Sequence, residues 1–487
     1  MSNQNHRPVD SDPDSIQQAS TTSELPYTIF DKRQKWLIVF IVSFAATFSG
    51  FASNIYFPAL PTIARDLNVS LELVKLTVTS YLIFQGIAPS FWGPVSDVRG
   101  RRVAYTCTFI VFLGACIGLA QTKNYATLIV LRCLQSTGSA STIAIGSGVI
   151  GDITTRDDRG GIYEGFPSGT PCACCLASSS FRYWFCYQTL RSLVANGSVK
   201  PSDPLIKSPL DVYQRTTRLE WDHKAPPPVL AARKNIDILG PLRILGCKFA
   251  TPIIIFLAIY YAVWQMSTTA MSSFFETRYG LNEIEIGLTF IANGVDSMVE
   301  TLITGKILDI DYRRVKVNFD SQLSVAGIEA GNSSSDIVSN QEADFPIEKA
   351  RLRLVPLFSF LQCLSILLFG WTIQYPHRVH IAVPIVSTFI TGWTAVSTQS
   401  VIMTYLVDIF SDQSAAASAS LNLARCLFAA GGTSFVMPMI NGNGVGLSFT
   451  VCVVVQALAL IGPFVQWKLA GGWKREAERK KALNSQR

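Results

Sequence analysis

Two arginines stand inside otherwise apolar stretches: Arg132 in LIVLRCLQSTGS and Arg425 in LNLARCLFAAGG. An unpaired charge within lipid costs about 2.5–3.5 kcal/mol on insertion scales, so each must face a cavity or a partner. Arg132 can lock helices as a hydrogen-bond hub, tune the protonation of a neighbour, or bind an anionic substrate. Arg425 has two candidate counterparts, Asp408 at the end of the preceding apolar stretch or an anionic substrate. Asp296 and Glu300 lie one helical turn apart on a single face. Two carboxyls so placed in a low dielectric do not both ionise freely, which suits a proton carrier; the plainer reading has both lining a wet mouth. The first apolar stretch carries Asn54, in SNIYFP, where an acid would have been a simple proton site. Tyr56, Tyr81, Phe84, Tyr260, Trp264 and Trp393 offer rings that suit a path for large apolar or cationic solutes, although each alone fits packing or an interface belt equally well.

Enzymatic chemistry finds no footing. The chain has four His, none flanked by a nucleophile within an apolar stretch. The eleven Cys are scattered and describe no disulfide framework. CACC at 172–175 has no matching His or Cys pair nearby to complete four zinc ligands, so no metal and no cofactor are expected.

The elements that position these residues must be membrane helices. Of 487 residues, 49% are hydrophobic and 15% charged, more apolar surface than a water-soluble chain can bury. Runs of about 20 apolar residues, the length of one crossing, fall at approximately 36–58, 74–95, 103–121, 126–150, 252–272, 284–305, 354–374, 379–403, 414–440 and 447–468. The run at 414–440 is rich in small residues, which favour close helix packing in lipid. The first 30 residues lack the succession of a cleavable signal. The net charge of +7 comes from Lys and Arg flanking the spans, which speaks for topology rather than nucleic acid. Positive-inside reasoning puts both termini in the cytosol and Asn68, in the sequon NVS, outside as a glycosylation candidate. The expected organisation is an all-α polytopic protein: a polar tail at 1–35, a four-span half at 36–160, a disrupted segment and linker at 161–250, a six-span half at 251–470 and a basic tail at 471–487. A polar cytosolic loop is expected at 317–350.

One pattern occurs twice. GPVSDVRGRR at 93–102 and GKILDIDYRR at 305–314 both read Gly, three residues, Asp, three residues, Arg-Arg, after the second span of each half. Such symmetry reports an internal duplication. The expected device is a pair of cytosolic turns in which Gly93 and Gly305 allow close helix approach. Asp97 and Asp309 then accept charge-assisted hydrogen bonds, while Arg101, Arg102, Arg313 and Arg314 lie at the anionic inner leaflet. Together with Gly100 they would latch the halves and release them during rocking.

These motifs resemble the major facilitator superfamily: the first decad its loop between helices 2 and 3, the second the echo between helices 8 and 9. LIVLRCLQSTGSASTIAIGSGVIGD is similar to the helix 4 signature of proton-coupled antiporters, with Arg132, Gln135 and Gly138 on the pattern and Ser136 where Gly is usual. IYFPALPTIARDLNVS, YGLNEIEIG, FPIEKARLRL and LNLARCLFAAGG resemble the fungal drug:proton antiporter branch. The resemblance implies a major facilitator fold of two pseudo-repeated halves. Its function would be proton-coupled export of drugs or other small organic molecules by alternating access. An organic-acid exporter, citrate-like, and a non-transporting truncated paralogue are the alternatives. It also implies a plasma-membrane monomer whose partners are a small-molecule substrate, protons and the lipid bilayer. The family places two further spans at 162–190, where this chain has a short stretch bearing Pro167, Pro171, Arg182 and Arg191. That stretch is too short for two crossings of about 30 Å, and one crossing would invert all that follows. About ten spans are therefore expected, helices 5 and 6 being lost through a splicing or frame error or a genuine deletion.

Overall fold

The computed structural model describes residues 35, 38, 52–53, 56–153, 239–248, 250–282, 284–290, 300–330, 348, 351–410 and 414–468. Among the described residues every regular element is helical. A short α1, Leu60–Asp66, leads into α2, Leu71–Arg99, whose first turn is capped by the Ser70 hydroxyl accepting from the Leu73 amide at 3.4 Å. α3 (Arg101–Ala120) and α4 (Tyr125–Ile153) complete the first half. After α5, Gly240–Leu245, the second half contains α6 (Thr251–Tyr279), helical residues 284–290, a π-helical turn at Glu300–Thr304 and α7 (Gly305–Ala330). It continues with α8 (Val355–Gln374), α9 (Ala382–Ile409), α10 (Ser414–Asn443) and α11 (Val445–Ala459), the last prolonged helically to Lys468.

Hydropathy is turned inside out. Ile110, Leu113 and Ile117 of α3, Phe360 and Leu364 of α8, and Val454, Leu458 and Ile461 beyond them all point outward. Meanwhile Thr77, Ser136, Thr269, Gln362, Thr394 and Gln456 are fully buried. Apolar side chains facing outward in such number require a hydrocarbon solvent. Among the described residues five helices are long and apolar enough to cross a membrane: α3, α6, α8, α10 from Ala416, and α11 with its extension. α2, α4 and α9, at 29, 29 and 28 residues, have the length as well.

α2 packs on α4 and, across the seam between halves, on α10; α10 packs also on α6, and α8 sits between α9 and α11. A cluster of Phe57, Leu60, Val74, Val78, Leu82, Tyr261, Ala429 and Ala430 joins the halves at the α1 end. There Ser272 Oγ donates to the Phe57 carbonyl at 2.8 Å and Arg65 pairs with Glu276 at 2.6 Å.

The two repeated decads fold differently. In the first, α2 stops at Arg99, Gly100 turns with φ +105°, and α3 starts at Arg101. In the second, α7 runs unbroken from Gly305 past Arg314 to Ala330, so neither the expected turn nor the expected loop over its first residues forms. The residue in register with Gly100 is Tyr312. A side chain with a Cβ disfavours positive φ, and the helix therefore continues. Two further expectations are corrected. Arg101 and Arg102 are buried, not at a leaflet surface, and Arg101 Nη1 reaches back over the turn to Ser96 Oγ at 2.7 Å. A Cβ at Gly93 would meet no described atom within 4 Å, so close helix approach does not depend on it. Arg313 and Arg314 are exposed. The side chains of Asp97 and Asp309 lie outside the described residues, as does the expected interruption at 162–190.

Candidate functional site

Arg132 lies two turns into α4 and is only 2% exposed. Its guanidinium carbon lies over two rings, 3.9 Å from the Tyr56 centroid and 4.2 Å from that of Tyr81. Nη1 donates to Gln135 Oε1 at 2.6 Å and to the Ala52 carbonyl at 3.4 Å, while Nε has no hydrogen-bond partner among the described residues. The rings are themselves pinned. Tyr56 and Thr77 share a hydroxyl hydrogen bond of 2.9 Å, Tyr81 and Ser139 another of 2.9 Å, and Ser136 donates to the Tyr81 carbonyl at 2.6 Å. Gly138, one turn beyond Gln135, brings α4 onto α3: a Cβ there would lie 2.6 Å from the Thr108 carbonyl oxygen and 2.7 Å from the Phe112 nitrogen.

Arg425 in α10 is the counterpart in the second half. Its Nε and Nη2 both donate to Asn422 Oδ1, at 3.0 and 2.7 Å, and Nη1 donates to Gln399 Oε1 of α9 at 2.7 Å. The Tyr261 ring of α6 stands 4.7 Å from the guanidinium carbon. The expected partner Asp408 is engaged elsewhere, accepting Arg351 Nε at 3.0 Å. Arg351 belongs to the segment entering α8, and it meets the end of α9 where Asp408 stands. Among the described residues neither Arg132 nor Arg425 has a carboxylate partner. Each cation is instead held by neutral amides and ring faces, interactions of about 1–3 kcal/mol apiece, of the size of the desolvation cost.

With that pattern in view, the chain is 33% identical to Citrate exporter 1 of Aspergillus niger, over 97% of this chain and 94% of that protein. It belongs to the major facilitator superfamily. The family model "Major Facilitator Superfamily" matches residues 42–178. The MFS antiporter QDR2 of Candida albicans is 32% identical, over 90% of each chain. Among solved structures, the human organic anion transporter MFSD10 (TETRAN) gives a TM-score of 0.51 at 12% identity, covering 88% of this chain and 97% of that one. The proton:xylose symporter XylE gives 0.58 at 14%, covering 90% and 96%. At such identities these last two speak for the fold alone. The protein is a multi-pass membrane transporter of this superfamily.

Within this major facilitator chain the other expected residues fall as follows. Glu300 is buried, at the head of the π-helical turn. Thr304, at its foot, shares a hydroxyl hydrogen bond of 3.0 Å with Ser397 and accepts from Trp393 Nε1 at 3.1 Å. Asp296 and Asn54 lie outside the described residues. Asn68 is exposed at φ +51° directly before α2. Of the expected path-lining rings, Tyr56 and Tyr81 hold Arg132, Phe84 points outward, Tyr260 is sealed in the core of the second half, and Trp264 packs edge-on to Tyr261 at 5.4 Å. Sequence reasoning missed Tyr261, Gln399 and Asn422. An amide inside an apolar run was the available signal for the last two, since it too needs a partner in lipid.

Proposed function

We propose that this transporter works by alternating access and exports a small organic molecule in exchange for protons, with both termini cytosolic, as a plasma-membrane monomer. The observation that carries the choice of substrate is the pair of buried arginines, one from each half, without carboxylate counterparts among the described residues. Positive charge held by amides and rings, not neutralised, is suited to an organic acid, and a citrate-like carboxylate can bridge guanidinium donors. A drug-exporting reading draws support from Tyr56, Tyr81, Tyr261 and Trp264, whose faces attract apolar cations. Glu300, buried at the head of the π-helical turn, is the candidate proton carrier, with Asp296 four residues earlier in the sequence as its candidate partner in that role.

Vesicles containing the full chain, loaded with labelled citrate or a labelled cationic drug under an imposed proton gradient, separate these readings. Citrate efflux should exceed drug efflux and collapse in Arg132→Ala and Arg425→Ala. Glu300→Gln should abolish dependence on the gradient. Drug efflux that survives both arginine changes, with no citrate efflux, would reverse the choice of substrate.

A further inference from the structure

The seam between α2 and α10 meets at one side chain. Pro89 stands inside α2, and a proline has no N–H to give the carbonyl four residues earlier. That carbonyl belongs to Gln85, and it accepts instead from Asn422 Nδ2 of the opposite half, at 2.8 Å. The other edge of the same amide, Asn422 Oδ1, receives Nε and Nη2 of Arg425. Next to Gln85, Gly86 lies so near α10 that a Cβ would come 3.1 Å from Cys426 Cβ and 3.3 Å from the Leu423 carbonyl oxygen.

Each link has a chemical reason. The hydrocarbon of a bilayer offers no donor, and a neighbouring helix is one source that can serve the carbonyl opened by Pro89. Arginine only donates and a carbonyl only accepts, which fixes how the amide is turned. Asparagine offers a donor edge and an acceptor edge at once, on two separate atoms; alanine would leave both partners unmet, and aspartate would serve the guanidinium alone.

We propose that Asn422 is a positioning residue that ties the aim of Arg425 to contact between the two halves. While α2 and α10 touch, the amide plane is fixed from both ends and the guanidinium fork lies against it. When the halves separate at this seam the Gln85 carbonyl leaves, the amide turns about its own torsions, and Arg425 keeps Gln399 but loses the fixed acceptor for Nε and Nη2. A substrate carboxylate is then gripped differently on the two sides of the transport cycle. That last step rests on the organic-anion reading; the link from Pro89 through Asn422 to Arg425 does not.

The test is a double-mutant cycle on the full chain, in detergent for melting temperature and in vesicles for citrate efflux. Asn422→Ala removes the donor to Gln85, and Pro89→Ala returns an N–H to that carbonyl within α2. Asn422→Ala should lower the melting temperature, and the share of that loss owed to the Gln85 carbonyl should disappear when Pro89→Ala is added, while the share owed to Arg425 stays. The double variant still lacks the acceptor for Arg425, so its KM for citrate should stay raised roughly tenfold, the factor of one charge-assisted hydrogen bond. A fall in melting temperature of equal size with and without Pro89 would overturn the carbonyl link. A KM that recovers together with the melting temperature would reduce Asn422 to a structural role. Should Asn422→Ala not fold, Asn422→Asp takes its place, and its melting deficit should likewise shrink with Pro89→Ala. If the unsubstituted chain moves no citrate, the organic-anion reading fails by itself and the cycle is read on Cys426. Its buried thiol donates to Asn422 Oδ1 at 3.8 Å. Alkylation of that thiol by N-ethylmaleimide, resolved by mass spectrometry, should speed up several-fold in Asn422→Ala; an unchanged rate would overturn the proposal.

Discussion

Arg132 and Arg425 each rest on an amide three residues away along the same helix, Gln135 ahead of one and Asn422 behind the other, and each lies against tyrosine. Their wider connections differ. Every described contact of Arg132 comes from the first half: Ala52, Tyr56, Tyr81 and Gln135. Arg425 draws on α6 and α9, and through Asn422 on α2 across the seam. One cation is thus a fixed post within its half, and the other depends on how the halves stand. A duplicated fold can keep the chemistry of a site in both copies while only one copy feels the motion.

The largest expected effect separates these two. Arg132→Ala removes the cation that two ring faces share and should cost about 3 kcal/mol of stability together with at least roughly tenfold in transport. Arg132→Lys should not rescue it, because a compact ammonium cannot reach two ring faces and Gln135 as a planar guanidinium does. Arg425→Ala should reduce transport as strongly but lower the melting temperature less, since its single ring and exchangeable amides hold less of the fold. Melting curves and efflux rates measured side by side decide the matter, and equal losses of stability in both would erase the distinction between post and moving part.

The decads sharpen the same contrast at the helix ends. Arg101→Ala removes a buried cation bonded across the Gly100 turn, and about 1.5–3 kcal/mol should be lost with it. Arg313→Ala alters an exposed residue on a continuous helix and should stay within about 0.5 kcal/mol. If both changes slowed efflux alike, the two decads would be acting as one latch despite their different folds. In the second decad it is Asp311, not in the repeated pattern, that accepts Arg353 at 3.4 Å, a bond internal to its own half.

That difference was written in the sequence, at Gly100 against Tyr312, but the matching Gly, Asp and Arg-Arg positions drew attention away from it. The helices themselves were legible because about 20 apolar residues in a row have few fates. Both buried arginines were legible because charge in such a run demands an explanation. Their partners were not. Tyr260 and Tyr261 are neighbours about 100° apart on one helix, and only the position of α10 decides which ring meets Arg425. Asp408 looked available to Arg425 until the fold brought Arg351 beside it. Tertiary placement, which no local pattern encodes, settles such pairings.

Helix contacts give a third, smaller test. A Cβ at Gly138 would strike backbone atoms of α3, which cannot give way, so Gly138→Ala should cost about 1–3 kcal/mol. At Gly432 in the second half a Cβ would meet Met266 Cγ and Sδ at 3.0 Å. A methionine side chain re-packs readily, and Gly432→Ala should cost less than about 1 kcal/mol. Thermal melts of the two variants should differ in that order; the reverse order would mean that the first half is the more yielding one.

The smallest effect is expected where a contact map would place the most obvious bond between the halves. Arg65 and Glu276 form an ion pair of 2.6 Å, but the arginine side chain is 71% exposed. Water and salt screen such a pair, and its worth is about 0–1 kcal/mol. Asn422 and the Gln85 carbonyl, both neutral, meet at a part-buried contact, where salt has no charge pair to screen. Arg65→Ala should therefore leave the melting temperature and efflux nearly unchanged, and raising ionic strength should change little in the unsubstituted chain. Were Arg65→Ala to slow efflux more than Asn422→Ala, the hold between the halves would lie in surface charge at the α1 end, and the comparison between a fixed and a coupled arginine would have to be redrawn around that pair.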